Sequence, residues 1–310
     1  GTAGFGVSRV PSRSVDLTTN LVTEPHINAA HSFDRLSVTL LLAAADITIG
    51  RQAITWGISN IFPVADLWAQ FSPFELDTEE KPGVDAIRAL SYPGEGLELD
   101  LVVADRGQRR LVSGGIRATR ETAVGDVYVA AAKSWREVVG LAGAAFLADA
   151  WKLRGEAAVP WNLDRDRFTA PRFTLGADRI GSEWTWSVEY HFNGFGTTNS
   201  AGYVSEFGSS EFSRGQSYYV GRHLVGAAVV RQITDRLTGA LTALSNVHDP
   251  SAAAIPALNY DAGQNLRFSL GALLAAGDRP IVASGIGTPS IRSEFGTYGT
   301  SIFATGSFYF

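Results

Sequence analysis

The sequence predicts an all-β chain: one antiparallel transmembrane β-barrel of about sixteen strands, with fourteen as the alternative count. Three observations predict it. Apolar and polar residues alternate with a two-residue period along most of the 310 residues, and short connectors alternate with long polar ones. No run of about eighteen apolar residues offers a helical span. The clearest stretch is Glu183–Asn193, where Trp184, Trp186, Val188, Tyr190 and Phe192 alternate with Glu183, Thr185, Ser187, Glu189, His191 and Asn193. One face is apolar and aromatic-rich at both ends, as a strand facing lipid would be, and the other is polar. A soluble multi-sheet protein shares such alternation, but it would have to bury the Trp-rich face in a core.

Strands are expected near 5–20, 32–44, 45–56, 84–93, 96–105, 109–120, 126–136, 137–147, 150–161, 168–179, 183–195, 218–233, 237–247, 252–262, 265–277 and 297–310. In the second, Leu36, Val38, Leu40 and Leu42 alternate with Arg35, Ser37 and Thr39. Leu97, Leu99, Leu101 and Val103 alternate with Glu98 and Asp100, and Trp151, Leu153, Ala157 and Val159 sit among Lys152, Arg154 and Glu156. Near the end, Leu266, Phe268, Leu270 and Leu274 alternate with Arg267 and Ser269. The first strand and the one near 252–262 have the weakest patterns, which leaves fourteen open.

Pro93-Gly94-Glu95-Gly96, Val124-Gly125-Asp126, Asp178–Ser182, Thr234-Asp235-Arg236 and Asp261–Asn265 have turn chemistry. Ile58–Val84, Thr197–Ser217 and Asp278–Phe295 are long and polar. This asymmetry is that of a barrel with short periplasmic turns and long extracellular loops. An even strand count places both termini on the periplasmic side. Residues 1–310 then form a single domain, with 58–84 as its notable loop.

Composition narrows the function. Glycine is abundant at 33 residues and aromatics reach 11%, which suits strands, turns and aromatic girdles. The absence of cysteine removes disulfides, thiolate metal sites and cysteine nucleophiles. The absence of methionine reads as a mature or trimmed chain that has lost a leader. A net charge of −5 offers nothing to nucleic acid. No phosphate-binding loop, His-Glu-x-x-His or Gly-x-Ser-x-Gly motif occurs, so no cofactor or metal is expected.

The last residues, Ile302-Phe303-Ala304-Thr305-Gly306-Ser307-Phe308-Tyr309-Phe310, resemble the terminal strand of Gram-negative outer-membrane β-barrels. The resemblance implies that Phe308 and Phe310 belong to the signal read by the barrel-insertion machinery. Gly50-Arg51-Gln52-Ala53-Ile54-Thr55-Trp56-Gly57 is similar to a Gly-Arg-Gln strand motif of porin-like families. Together they imply an integral outer-membrane protein surrounded by lipid, acting as a passive channel for small polar solutes or ions. Porin-like barrels are often homotrimers, and others join an envelope complex.

With apolar faces outward, the polar faces line the lumen. The candidate pore-lining residues are Arg35, Asp46, Gln52, Glu98, Asp100, Arg117, Lys152, Arg154, Glu156, Arg172, Glu189 and Arg267. So many charges need water, mutual pairing or both, and about sixteen strands enclose room for water. The Ile58–Val84 loop is the candidate constriction. Asp66, Glu75, Asp77, Glu79 and Glu80 would face wall arginines such as Arg51, Arg88 or Arg117 and weakly favour cations, while Trp68, Phe71, Pro73 and Phe74 pack the loop. Parity places Arg51 with Ile47 and Ile49, on the lipid side.

Two other functions stay open. A plugged barrel could serve as a structural partner within an envelope complex. An outer-membrane enzyme would need His191 or His248 to meet Asp249 or Ser245 near the outer rim.

Overall fold

The computed structural model describes residues 13, 15–24, 27–68, 81–105, 112–281 and 290–309. Strands end where the alternation breaks. They are β1 (Thr18–Glu24), β2 (Ile27–Ser32), β3 (Leu36–Leu41), β4 (Asp46–Gln52), β5 (Val84–Gly94), β6 (Leu97–Ala104), β7 (Ser113–Thr122), β8 (Gly125–Ser134) and β9 (Glu137–Ala148). There follow β10 (Trp151–Asn162), the short β11 (Arg167–Phe168), β12 (Arg172–Ile180), β13 (Trp184–Asn193), β14 (His223–Thr234), β15 (Leu237–Asn246), β16 (Ala252–Asp261), β17 (Leu266–Ala276) and β18 (Ser301–Phe308). Two short helices, α1 (Tyr203–Phe207) and α2 (Ser210–Ser213), interrupt the long connector between β13 and β14.

A 16-stranded sheet runs from β3 to β18 with each strand beside its sequence neighbour, save that β11 pairs only with β10 and lies off the ladder. All its strand pairings are antiparallel. β1 and β2 form a separate two-stranded sheet. Among the described residues β3 and β18 are not hydrogen-bonded to each other, so the sheet has two edges. The strand expected within 5–20 falls largely outside the described residues; its described end, Thr18, begins β1 instead.

Side-chain exposure follows the predicted parity in the strands between the two edges, while the edge strand β3 is exposed on both faces. In β13, Trp186 and Val188 are 51% and 54% exposed, whereas Ser187, Glu189, His191 and Asn193 are buried. Leu175 and Leu270 are equally open on their strands. Rows of exposed large apolar side chains on one face of a sheet need an apolar surrounding.

The inward face departs from the prediction in its half nearest the long loops. Val84, Ala86, Val102, Ala104, Ala132, Val139, Leu141 and Ala158 are buried there, alongside the expected polar residues. Both faces of β6 are apolar at that end: Leu101 and Val103 face out, Val102 and Ala104 in. The partner of the inward apolar surface is the segment that follows β4.

Gly50 marks the other irregularity. Its φ is +123°, and a Cβ there would lie 2.3 Å from the Leu36 carbonyl oxygen, so only glycine fits. Beyond it, Arg51 and Gln52 are both buried, on opposite faces. Parity had put Arg51 outward, and the structure explains how a charge survives there. It pairs with Asp85 at 2.8 Å and donates to the carbonyls of Phe33 and Val15, so segment 15–17 and Phe33 cover it.

Candidate functional site

After β4 the chain turns to the inward side of the sheet. Residues Ala53–Trp68 lie against it, held by their main chain as well as by their side chains. Glu156, inward on β10, accepts from the N–H groups of Ile58 and Val64 at 2.8 and 2.6 Å. Glu189, inward on β13, accepts from Asn60, Ile61 and Phe62 at 2.7, 3.0 and 2.9 Å. Thr174 on β12, between them, donates its hydroxyl to the Phe62 carbonyl at 2.7 Å. Irregular backbone inside a barrel must find partners for its N–H groups, and two wall carboxylates supply five of them.

Strand register brings these groups together. Glu156 pairs with Thr174 across β10 and β12, and Thr174 with His191 across β12 and β13. One row away, Arg154 and Glu189 both pair with Gly176. A Cβ on Gly176 would press on Glu189 and Arg154 at 3.0–3.1 Å. Its absence lets Arg154 reach across to Glu189 at 2.6 Å; Arg154 also pairs with Asp178.

Apolar side chains complete the loop's seat. Ile54, Trp56, Val64, Ala65 and Trp68 pack on the inward residues of β5 to β10. Phe62 reaches the opposite wall, with Leu224, Leu244, Ile255 and Leu273. Trp56 donates its indole N–H to Asp100 at 2.8 Å, and Arg88 holds the same carboxylate at 2.7 Å. Asp66 is an internal staple: it accepts from the N–H groups of Trp56 and Gly57, each at 2.8 Å, and pairs with Lys81. Of the acidic loop residues predicted to face the wall, only Asp66 is described; Glu75, Asp77, Glu79 and Glu80 lie outside the described residues, as do Phe71, Pro73 and Phe74.

Arg117 pairs with Glu98 at 2.9 Å and Arg267 with Asp261 at 2.6 Å. Gln52 donates to the Ala86 carbonyl at 3.2 Å. Asp46 and Lys152 sit near the short-turn ends of β4 and β10, half-buried. Arg35 precedes β3, where it binds Asp34 and the Lys81 carbonyl. Arg172 differs from these. It is buried on the inward face, stacks on Phe195 at 4.9 Å, donates to the Gln216 carbonyl and has a partnerless Nε. No ion pair is formed by it among the described residues.

A second network fixes the long connectors. Glu294, between β17 and β18, accepts from Val220 N–H at 2.8 Å, Gly221 N–H at 3.2 Å and Asn246 Nδ2 at 2.8 Å. Asp249 accepts from Tyr203 Oη at 2.6 Å and from Glu294 N–H at 3.0 Å. No sequence pattern distinguished Glu294, Asn246 or Tyr203, and Asp249 stood out only as a possible partner of a rim histidine, because the groups that they bind are loop groups without periodicity. Burial, reinforced by the nearby Asp249, raises the Glu294 carboxyl to about 7. A raised carboxyl stabilises the fold fully below its unfolded value and loses that contribution as pH rises through about 7. The melting temperature should therefore fall between pH 5 and 8. Glu294→Gln should flatten that slope while lowering the plateau, since Gln presents one acceptor fewer to three donors. Thermal melts in micelles across that pH range check it, and a slope unchanged in Glu294→Gln would place the titration elsewhere.

The rim histidines do not assemble with the acids and hydroxyls expected of an enzyme. His191 stacks on Phe62 at 5.1 Å and bonds Thr174 at 3.1 Å. His248 lies against His223, Asp249 is engaged by Tyr203 and Glu294, and the Ser245 hydroxyl donates to the Ser251 carbonyl. Among the described residues no group of three His, Asp or Glu could hold a metal.

A lipid-compatible antiparallel sheet with a loop folded inside defines the porin class of fold. The structure is similar to that of OprD from Pseudomonas aeruginosa, with a TM-score of 0.54 and 11% identity over 91% of this chain and 80% of that one. It matches P. aeruginosa OpdK, solved with vanillate, at 0.54 and 11% over 87% and 77%. A BenF-like porin from P. fluorescens matches at 0.50 and 11% over 89% and 78%. No protein-family model matches the chain, and neither does any curated protein. At such identity the likeness is one of fold: the chain has the porin-like outer-membrane β-barrel fold, which belongs to integral proteins of the Gram-negative outer membrane.

Proposed function

We propose that this chain is an outer-membrane channel for small polar solutes, constricted by the Ala53–Trp68 loop. The observation that carries the reading is the inward loop with five main-chain N–H groups held by Glu156 and Glu189. A loop so fixed narrows a passage at a set place, and its neighbours decide what passes. Asp66 is neutralised by Lys81, whereas Arg172 stands beside the loop with no carboxylate in ion-pair contact, its acidic neighbours being Glu137 and Glu156. The eyelet then favours anions over cations, the reverse of what the acidic loop sequence suggests. OpdK, a neighbour by fold, was solved with vanillate, itself an anion.

We propose that β2 closes the sheet into a barrel. Fifteen strands form the ladder once β11 is set aside, so β3 and β18 run the same way and cannot pair antiparallel. β2 is joined to β3 through Phe33, Asp34 and Arg35 alone. Laid beside β3 it would run antiparallel to both edges and make the sixteenth wall strand, giving the even count of bacterial barrels. Phe308, outward and exposed at the end of β18, is the described part of the insertion signal; Phe310 lies outside the described residues.

The test is single-channel conductance in a planar bilayer, with the reversal potential under a salt gradient. Steady conductance with a reversal potential of anion-selective sign is expected. An inserted barrel that never conducts would favour the second reading, a plugged scaffold. The apolar packing of the loop against both walls is what supports that alternative.

A further inference from the structure

We infer that the outward face of β14 to β18 binds one anionic phospholipid of the periplasmic leaflet, its phosphate on Arg231 and an acyl chain in the groove beside it. The inference rests on the outer-membrane reading and adds a specific site to it. The groove has a volume of about 590 Å³ and is lined among others by Trp184, Gly239, Leu241, Leu258, Leu270 and Ile302. Its depth has a residue-level cause. Along one outward row Trp184 pairs with Arg231, Arg231 with Gly239, and Gly239 with Leu258. Gly239 contributes no side chain where its neighbours contribute long ones, so the wall is notched there.

What fills the notch is indicated by charge. Arg231 is exposed on the apolar face and lies over the Trp184 ring, 4.6 Å from its centroid. It forms no ion pair among the described residues. A lipid-facing guanidinium is costly unless it reaches the interface and finds an anion. Arg231 stands three residues before Thr234, the last of β14, at the end joined by short turns. That is the periplasmic boundary, where phospholipid phosphates lie. Arg179 stacks on Trp151 at 5.5 Å in the same belt, but it is not part of the groove lining. It supplies the internal control: the same cation on the same kind of ring, without the notch.

The experiment is native mass spectrometry of the delipidated protein in micelles, titrated with phosphatidylglycerol and, separately, with phosphatidylethanolamine. One retained phosphatidylglycerol per chain is expected, with apparent affinity falling about tenfold in Arg231→Gln and in Gly239→Leu, and unchanged in Arg179→Gln. Gly239→Leu fills the notch; the nearest atoms to a new Cβ are the side-chain ends of Ile233 and Leu258, at 3.1 and 3.6 Å, which can give way. Arg231→Gln tests the site without adding bulk. Equal retention by all variants, or loss in Arg179→Gln as strong as in Arg231→Gln, would overturn the site and leave only a general belt. So would a dimer that Gly239→Leu disperses, since a second copy would then be the occupant. A chain that does not insert into lipid at all would instead overturn the outer-membrane reading itself.

Discussion

Glu189→Ala should release the middle of the Ala53–Trp68 loop and raise single-channel conductance. Glu189 is fully buried and serves four partners: the N–H groups of Asn60, Ile61 and Phe62, and the guanidinium of Arg154. Alanine leaves three loop N–H groups without their acceptor, that of Phe62 buried and those of Asn60 and Ile61 part-buried, and strips Arg154 of one of its two acids. Removing one partner of a buried ion pair costs about 3–5 kcal/mol. The loop would still be tied at Ile58 and Val64 by Glu156, so the expected product is a folded barrel with a loosened eyelet. Conductance should be larger and noisier, and the urea midpoint lower. Glu98→Gln is the contrast. Its pair with Arg117 is partly exposed, and the loss should be about 1 kcal/mol or less with conductance unchanged. Wild-type conductance in Glu189→Ala would mean that the loop does not set the passage.

This prediction could not be made from the sequence, and the reason is physical. The parity of β13 was legible, so Glu189 could be placed on the inward face, as could Glu156 on β10. What those acids bind was not legible. Their partners are main-chain N–H groups roughly a hundred residues away, and every residue but proline carries such a group. The same holds for the inward apolar residues Val102, Ala104, Val139 and Leu141. A strand apolar on both faces has a second apolar partner, but nothing local says that the partner is Trp56, Val64 and Trp68. Arg51 shows the converse. Its outward parity was correct, yet the cover supplied by Val15 and Phe33 depends on how a distant segment lies. Two-residue periodicity thus reports which face a residue is on, and tertiary placement decides whether that face meets lipid, water or folded chain.

Parity itself is open to a direct and large test at Val188. It sits midway along β13, between Trp184 and Trp186 toward the short-turn end and Tyr190 and Phe192 toward the other. Aromatic residues at both ends of an outward row mark the two interfaces of a membrane, so Val188 falls near the middle of the hydrocarbon. Val188→Arg should destabilise the barrel by about 2–4 kcal/mol when folding is measured as a urea equilibrium into lipid vesicles. On a soluble sheet the same exposed position would tolerate arginine within about 0.5 kcal/mol. The difference comes from the medium alone, because Val188 is 54% exposed and fills no cavity in the protein. Thr185→Arg, one strand-turn away on the inward face, should cost far less in the same assay, since an inward cation meets water or acids. If Val188→Arg were as mild as Thr185→Arg, the outward face would not be in lipid, and both the channel and the groove beside Arg231 would lose their premise.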